Sequence, residues 1–107
     1  MKDCMLDIET LGIGTSPVIT QISAVQFDLT TGETGETFNI LVDPMSCINI
    51  GNNISQSTME FWANQSKVTF RKVVLESFLS GEDIKEVLRK LNLFLKNHDI
   101  NTVWGNG

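Results

Sequence analysis

Apolar residues along this chain follow two periods, one of about two residues in the first 42 positions and one of about 3.6 further on. Residues 2–8 form a short, mostly apolar run that reads as a buried strand. Residues 18–29 alternate, with Ile22, Ala24 and Gln26 on one side and Ser23, Val25 and Phe27 on the other, which predicts a longer strand. Residues 30–35 are polar and contain two glycines, a turn signal. Residues 36–42 then place Phe38, Ile40 and Val42 on one face of a third strand, and the three strands make an antiparallel meander.

Residues 43–53 are polar with isolated isoleucines and read as a loop. Ser57 and Glu60 match a capping box, so a helix is predicted from Ser57 to about Asn64. Within it Phe61 is assigned to the core, whereas Trp62 fits either the core or a stacking platform for a base. Residues 68–79 predict a shorter helix with Phe70, Val73, Val74 and Phe78 inward. The clearest helix follows residues 80–83, with Ile84, Val87, Leu88, Leu91, Phe94 and Leu95 in one stripe. Residues 102–104 are a short strand, and a helix feeding a strand is how a parallel neighbour joins a sheet, here beside the first strand. The expected fold class is α/β, a three-stranded antiparallel meander plus a parallel strand with flanking helices.

The chemistry sits in the first strand. Asp7 and Glu9 are two residues apart, so in a strand they project to the same side while Leu6 and Ile8 face the other. Two carboxylates in one small volume repel unless a cation neutralises them, which makes a divalent metal the natural third member. A solvent-facing strand end is the ordinary reading of an isolated Asp-x-Glu. The surrounding residues favour the metal reading.

The run Leu6-Asp7-Ile8-Glu9-Thr10-Leu11-Gly12, with the apolar run 18–27 behind it, resembles the first exonuclease motif of the ribonuclease H-like 3′→5′ exonucleases that use four acidic ligands, the DEDD type. The resemblance implies that Asp7 and Glu9 are the first two ligands and catalytic acids, and that Thr10 and Leu11 lie against the terminal nucleotide. Residues 57–66 are similar to a Trp-containing helix of the phage and bacterial branch, which includes the phage DexA-type enzyme. Residues 103–107 are similar to the strand that opens the second exonuclease motif, where the third acid follows a few residues later. The third and fourth acids and a general-base His are therefore expected beyond Gly107, and residues 1–107 are read as the amino-terminal part of a single ribonuclease H-like exonuclease domain, truncated relative to the family. The implied reaction is hydrolysis of terminal phosphodiesters at single-stranded DNA or RNA 3′ ends with two Mg²⁺ or Mn²⁺ ions.

Composition narrows the alternatives. A hydrophobic fraction of 41% with 20% charged residues is that of a globular chain. A net charge of −5 argues against a broad basic surface, though not against a nuclease that meets phosphate through metal. Lys67, Arg71 and Lys72 form the one local basic cluster, either a solvated helix face or a guide for a strand. Gln65 is a candidate for hydrogen bonding phosphate or sugar, or simply a solvated helix end. His98, at a helix carboxyl end, needs no catalytic role. Asp43 and Asp99 flank loops and are poor replacement ligands, and Gly12-Ile-Gly14 lacks the strand-turn-helix setting of a nucleotide fingerprint. Cys4 and Cys47 lack metal-ligand spacing; Cys4 is expected as a small buried apolar residue.

No stretch approaches the ~20 apolar residues of a membrane span and the amino terminus lacks signal-peptide order, so the expected location is cytoplasmic and no membrane partner is expected. The rival to an exonuclease is a non-catalytic remnant or protein-binding module that keeps the fold. A third option is a site completed in trans, by a second copy or another chain.

Overall fold

The computed structural model describes residues 1–105. Strand β1 (Asp3–Thr10) and strand β2 (Ile19–Phe27) pair antiparallel, and β2 pairs antiparallel with β3 (Thr34–Leu41). Strand β4 (Thr102–Gly105) lies parallel to β1 on its other side, giving the order β3-β2-β1-β4. The meander and the parallel strand follow the sequence reading. Strand β1 runs two residues past the predicted end at Ile8, so Glu9 and Thr10 are still strand residues, with a register irregularity between them. The β2–β3 turn occupies residues 28–33, two residues earlier than predicted. The Asp28 carboxylate accepts from the amides of Thr30 and Thr31, which holds its pKa below the ordinary value, and β3 begins at Thr34.

The period-2 alternation assigns the sheet's two faces. Cys4, Leu6, Ile22, Ala24, Phe38 and Ile40 share one face and belong to the core or pack against it. The long helix that covers this side is Ile84–Asn97, whose Phe94 ring meets Phe38 at 5.6 Å. Cys4 is fully buried, as expected, and burial pushes its thiol pKa up.

The segment between β3 and that helix departs from the sequence reading in four places. First, residues expected to form a loop contain helix α1 (Pro44–Ile48). Asp43 caps it, accepting from the Met45 amide at 3.0 Å, and Pro44 occupies the first turn, where a missing N–H costs nothing. Second, helix α2 (Gln56–Ala63) is capped by Ser55, whose hydroxyl accepts from the Thr58 amide at 3.2 Å. Ser57 is inside the helix. Third, Phe61 is 56% exposed and Trp62 only 8%, which reverses the expected core residue.

Fourth, residues 67–80 are helical throughout but not as one α-helix. Helix α3 (Lys67–Phe70) leads into a π-helical turn (Arg71–Leu75) and then α4 (Glu76–Ser80). The Glu76 amide bonds to the Arg71 carbonyl, so one extra residue enters the turn and everything downstream is rotated by about 100° from the α-helical pattern. Val74 and Ser77 are consequently buried, and Phe78, assigned inward, is 41% exposed. The long helix, α5, begins after its Asp83 cap, and Leu88 of the predicted stripe is partly exposed at its edge. No helix among the described residues is long and apolar enough to cross a membrane.

Candidate active site

Asp7 and Glu9 lie on the sheet face opposite to Cys4 and Leu6. The register sets Asp7 across from Ser23 and Glu9 across from Gln21. On the next strand Ser23 faces Asn39. The Gln21 amide donates to Asn39 Oδ1 at 2.7 Å and the Ser23 hydroxyl to the same atom at 3.1 Å. A polar row thus crosses three strands beside the two acids. With Met5, Val25 and Thr37, the residues Asp7, Ser23 and Asn39 line a shallow groove of about 400 Å³.

The two carboxyl groups interact. Glu9 has its pKa raised, first by its partial burial, then by the charge of Asp7 and by a hydrogen bond with the Asp7 carboxyl. Asp7 is exposed at the groove. A cation between the two would relieve the part of the Glu9 pKa rise that comes from the charge of Asp7. Two carboxylates with open coordination positions fit one hard divalent ion that completes its shell with water and phosphate oxygens. Among the described residues no group of three or more His, Cys, Asp or Glu comes together. Asp43 is used as a helix cap, Asp99 adopts a left-handed backbone (φ 54°) after α5, and His98 caps that helix with its ring against Phe94 at 4.9 Å.

The remaining sequence candidates separate. The Thr10 hydroxyl donates to the Gly12 carbonyl at 3.1 Å, and Thr10 lines a different groove of about 590 Å³ with Ile8, Ile13 and Ile19. Leu11, expected against a nucleotide, is fully buried. Its amide donates to Val18 at 2.8 Å and its carbonyl accepts from Ser55 at 3.0 Å. Trp62 donates its indole N–H to the Thr10 carbonyl at 2.8 Å. Its ring is packed inside, so the stacking option is not what this structure displays. Instead Trp62 and Leu11 clamp the end of β1 from within, just past the acid pair. Gln65 sits apart, donating to the Phe61 carbonyl at 3.2 Å and lining a groove with Lys67, Phe70 and Arg71.

Asn39 was not singled out by the sequence reading. Asn39 obeys the β3 alternation as a polar residue on the outward face, so nothing local marks it, and its place in the groove with Asp7 depends on the β1–β2 and β2–β3 registers.

The chain matches a family model described as the 3′-5′ exoribonuclease Rv2179c-like domain over residues 2–107. It is similar in fold to the nuclease domain of 3′hExo, a DEDDh family member bound to rAMP, with a TM-score of 0.65 at 16% identity, covering 98% of this chain and 51% of that one. A structure of 3′-end specific recognition of histone mRNA stem-loop by 3′-exonuclease gives 0.64 at 16% identity, covering 98% of this chain and 45% of that one. Cell-death related nuclease 4 (CRN-4) gives 0.55 at 12% identity, covering 96% of this chain and 34% of that one. The chain therefore spans about half the length of the first of these, or less of the others. A comparison with curated protein sequences returns no significant match. The matched model, the four-stranded mixed sheet and the structural likeness together establish that the chain belongs to the 3′-5′ exoribonuclease Rv2179c-like domain family and carries the amino-terminal portion of the ribonuclease H-like fold of DEDD exonucleases.

Proposed function

We propose that this chain supplies the Asp7–Glu9 half of a metal-dependent 3′→5′ exonuclease site that hydrolyses terminal phosphodiesters of single-stranded RNA or DNA. The observation that carries the proposal is the carboxylate pair itself, Asp7 and Glu9 on one face of β1 and close enough that the charge of Asp7 helps raise the Glu9 pKa, in a chain of an exonuclease family. Mg²⁺ or Mn²⁺ bound there would polarise a phosphate oxygen and lower the pKa of a bound water that attacks phosphorus. Asp7 and Glu9 would hold the ion. Trp62 and Leu11 would keep the end of β1 in place, so that the acids meet substrate without rearrangement. Thr10, with the Gly12 turn it bonds to, would shape a terminal-nucleotide pocket from the groove on the other side of β1.

The test is cleavage of 3′-labelled and 5′-labelled single-stranded RNA and DNA in Mn²⁺ by the chain, with Asp7→Ala as control. Stepwise shortening from the 3′ end that disappears in the variant is the expected result and names the preferred sugar. Shortening that persists in Asp7→Ala would remove the assignment.

A second reading, a non-catalytic module of the same fold, is favoured by one observation: among the described residues no third acid approaches the pair. Thermal shift separates the readings. A metal-binding site gains stability with Mn²⁺ in proportion to the logarithm of its concentration above Kd, and Glu9→Gln should abolish the gain. A binding module should show no Glu9-dependent shift. Assembly in trans predicts that cleavage appears only with a second copy or a completing chain, which gel filtration of the active species would detect.

A further inference from the structure

The groove beside Asp7 does not end at the sheet. Through Asn39 it adjoins a second groove of about 400 Å³, walled by Gln21 and Leu41 on one side and by Thr69, Lys72 and Val73 on the other. Through Lys72 that groove adjoins a third on the outer surface of the α3–π turn, lined by Lys67, Val68 and Arg71. Through Lys67 and Arg71 the third adjoins a fourth, of about 400 Å³, walled by Phe70, Gln65 and Leu75. A series of depressions, each sharing a lining residue with the next, therefore leads from Asp7 across the polar row to the basic helix.

Three features of this series point to the same occupant. Its far half carries three of the chain's eight Lys and Arg residues in a protein of net charge −5. All three are exposed, and none makes a salt bridge among the described residues, whereas Arg89 and Lys90 of α5 are each paired with a glutamate. Its near half carries Asn39, whose Oδ1 takes two hydrogen bonds, while its Nδ2 has no acceptor among the described residues. That amide nitrogen is an open donor in the groove that Asp7 also lines, one strand removed from it. Its apolar walls, Val73, Phe70 and Leu75, suit base faces, and the combination of cations with apolar and aromatic surface is that of single-strand grooves. Apart from Asp7, Glu76 is the acid on these walls, in the two grooves that Lys72 also lines.

We propose that this series of depressions is the path of a single-stranded nucleic acid leading away from a 3′ end at Asp7, with Asn39 donating to the strand nearest the acids and Lys72, Arg71 and Lys67 meeting its phosphates in turn. The direction of the strand rests on the exonuclease reading; the path itself does not.

The experiment is fluorescence anisotropy with labelled single-stranded RNA and DNA of about 12 nucleotides, long enough to leave the acid site, and with a dinucleotide. Lys67→Glu/Arg71→Glu is compared with Lys85→Glu/Lys96→Glu, a pair with the same charge change on exposed α5 positions. Melting temperatures verify that all variants fold. The longer strand should bind at least about ten-fold more weakly to the first pair than to the second, and the slope of log K against log salt should fall by about 1.4, two phosphate contacts' worth. The dinucleotide should bind both pairs alike. Equal losses from both pairs, no loss from either, no binding of the strand by the unaltered chain, or equally tight binding of polyglutamate of matched charge would each overturn the path. Cleavage with Asp7 but no difference between the pairs sinks the path alone. Selective loss of binding without any Asp7-dependent cleavage keeps the path and sinks the exonuclease reading.

Discussion

Two neighbouring aromatic residues show how local the decisive contacts are. Trp62 is packed in the core with its indole N–H on the Thr10 carbonyl, and Phe61 stands outside with its ring edge-on to Trp62 at 5.1 Å. Removing the buried donor leaves a carbonyl at the end of β1 without its partner. Trp62→Phe should therefore cost about 1–3 kcal/mol, and Phe61→Ser less than about 0.5 kcal/mol, in urea denaturation. The reverse order would mean that Phe61, not Trp62, is the core residue. Glu9 gives a second test at this scale. Its pKa is raised above 4.5 in the folded chain, so the native state holds that proton more tightly than the unfolded state does. The stability this contributes is present below the unfolded pKa and is lost as pH rises through the folded one. Without metal, Glu9→Gln should match the parent near pH 4 and be the more stable of the two near pH 7 in thermal melts with chelator. With Mn²⁺ the order near pH 7 should invert, since only the parent has the second carboxylate. A parent that stays ahead in chelator would show that Asp7 and Glu9 do not repel.

At the scale of elements, the helix starts are the sharpest test of which local signals the fold uses. The sequence offers two serines two residues apart, and the four-residue box beginning at Ser57 looks the better cap. The fold uses Ser55, because its amide is tied to the Leu11 carbonyl and its hydroxyl then faces the Thr58 amide. That tie to the end of β1 is a tertiary contact which no capping rule contains. Ser55→Ala should cost about 1 kcal/mol, whereas Ser57→Ala should be neutral or slightly stabilising, a gain in helix propensity of a few tenths of a kcal/mol. Equal losses at both positions in chemical denaturation would return the helix start to Ser57. The π turn is the other element the 3.6-residue pattern missed. A single added residue sends Phe78 outward and Ser77 inward, and no periodicity carried through the turn can report it.

For the whole molecule the sheet and its helices leave apolar surface on one side. The radius of gyration is 14.5 Å, larger than the roughly 13 Å of a compact domain of this length. Ile8, Ile13 and Val103 are 41%, 64% and 45% exposed, and Ile8 and Ile13 line the 590 Å³ groove that runs up to Gly105. Apolar side chains gathered along one groove offer a surface to hydrophobic probes. The folded chain should bind the dye ANS, and Ile8→Lys with Ile13→Lys should reduce that fluorescence several-fold without lowering the melting temperature, because neither side chain is in the buried core. Unchanged fluorescence would place the exposed apolar surface elsewhere, on Met5 and Trp104 of the opposite face.

Residues near each other in the chain determined most of the architecture. The alternation in residues 18–29 and 36–42 required strands, the stripe from Ile84 to Leu95 required a helix, and the two-residue spacing of Asp7 and Glu9 put both acids on one face wherever β1 went. These follow from the pleat and the helical turn, which act within a few residues. The remaining residues of the motif, Asn106 and Gly107, and the approach to Asp7 expected beyond them lie outside the described residues. What only the tertiary structure decided depends on partners far along the chain: Asn39 in one groove with Asp7 through the strand register, Ser55 over Ser57 through Leu11, Trp62 inside through the Thr10 carbonyl, and Lys72 against Gln21 and Asn39 of the sheet. A side chain's face is fixed by its own backbone, whereas what it meets is fixed by how distant segments pack, and packing has no local period to read.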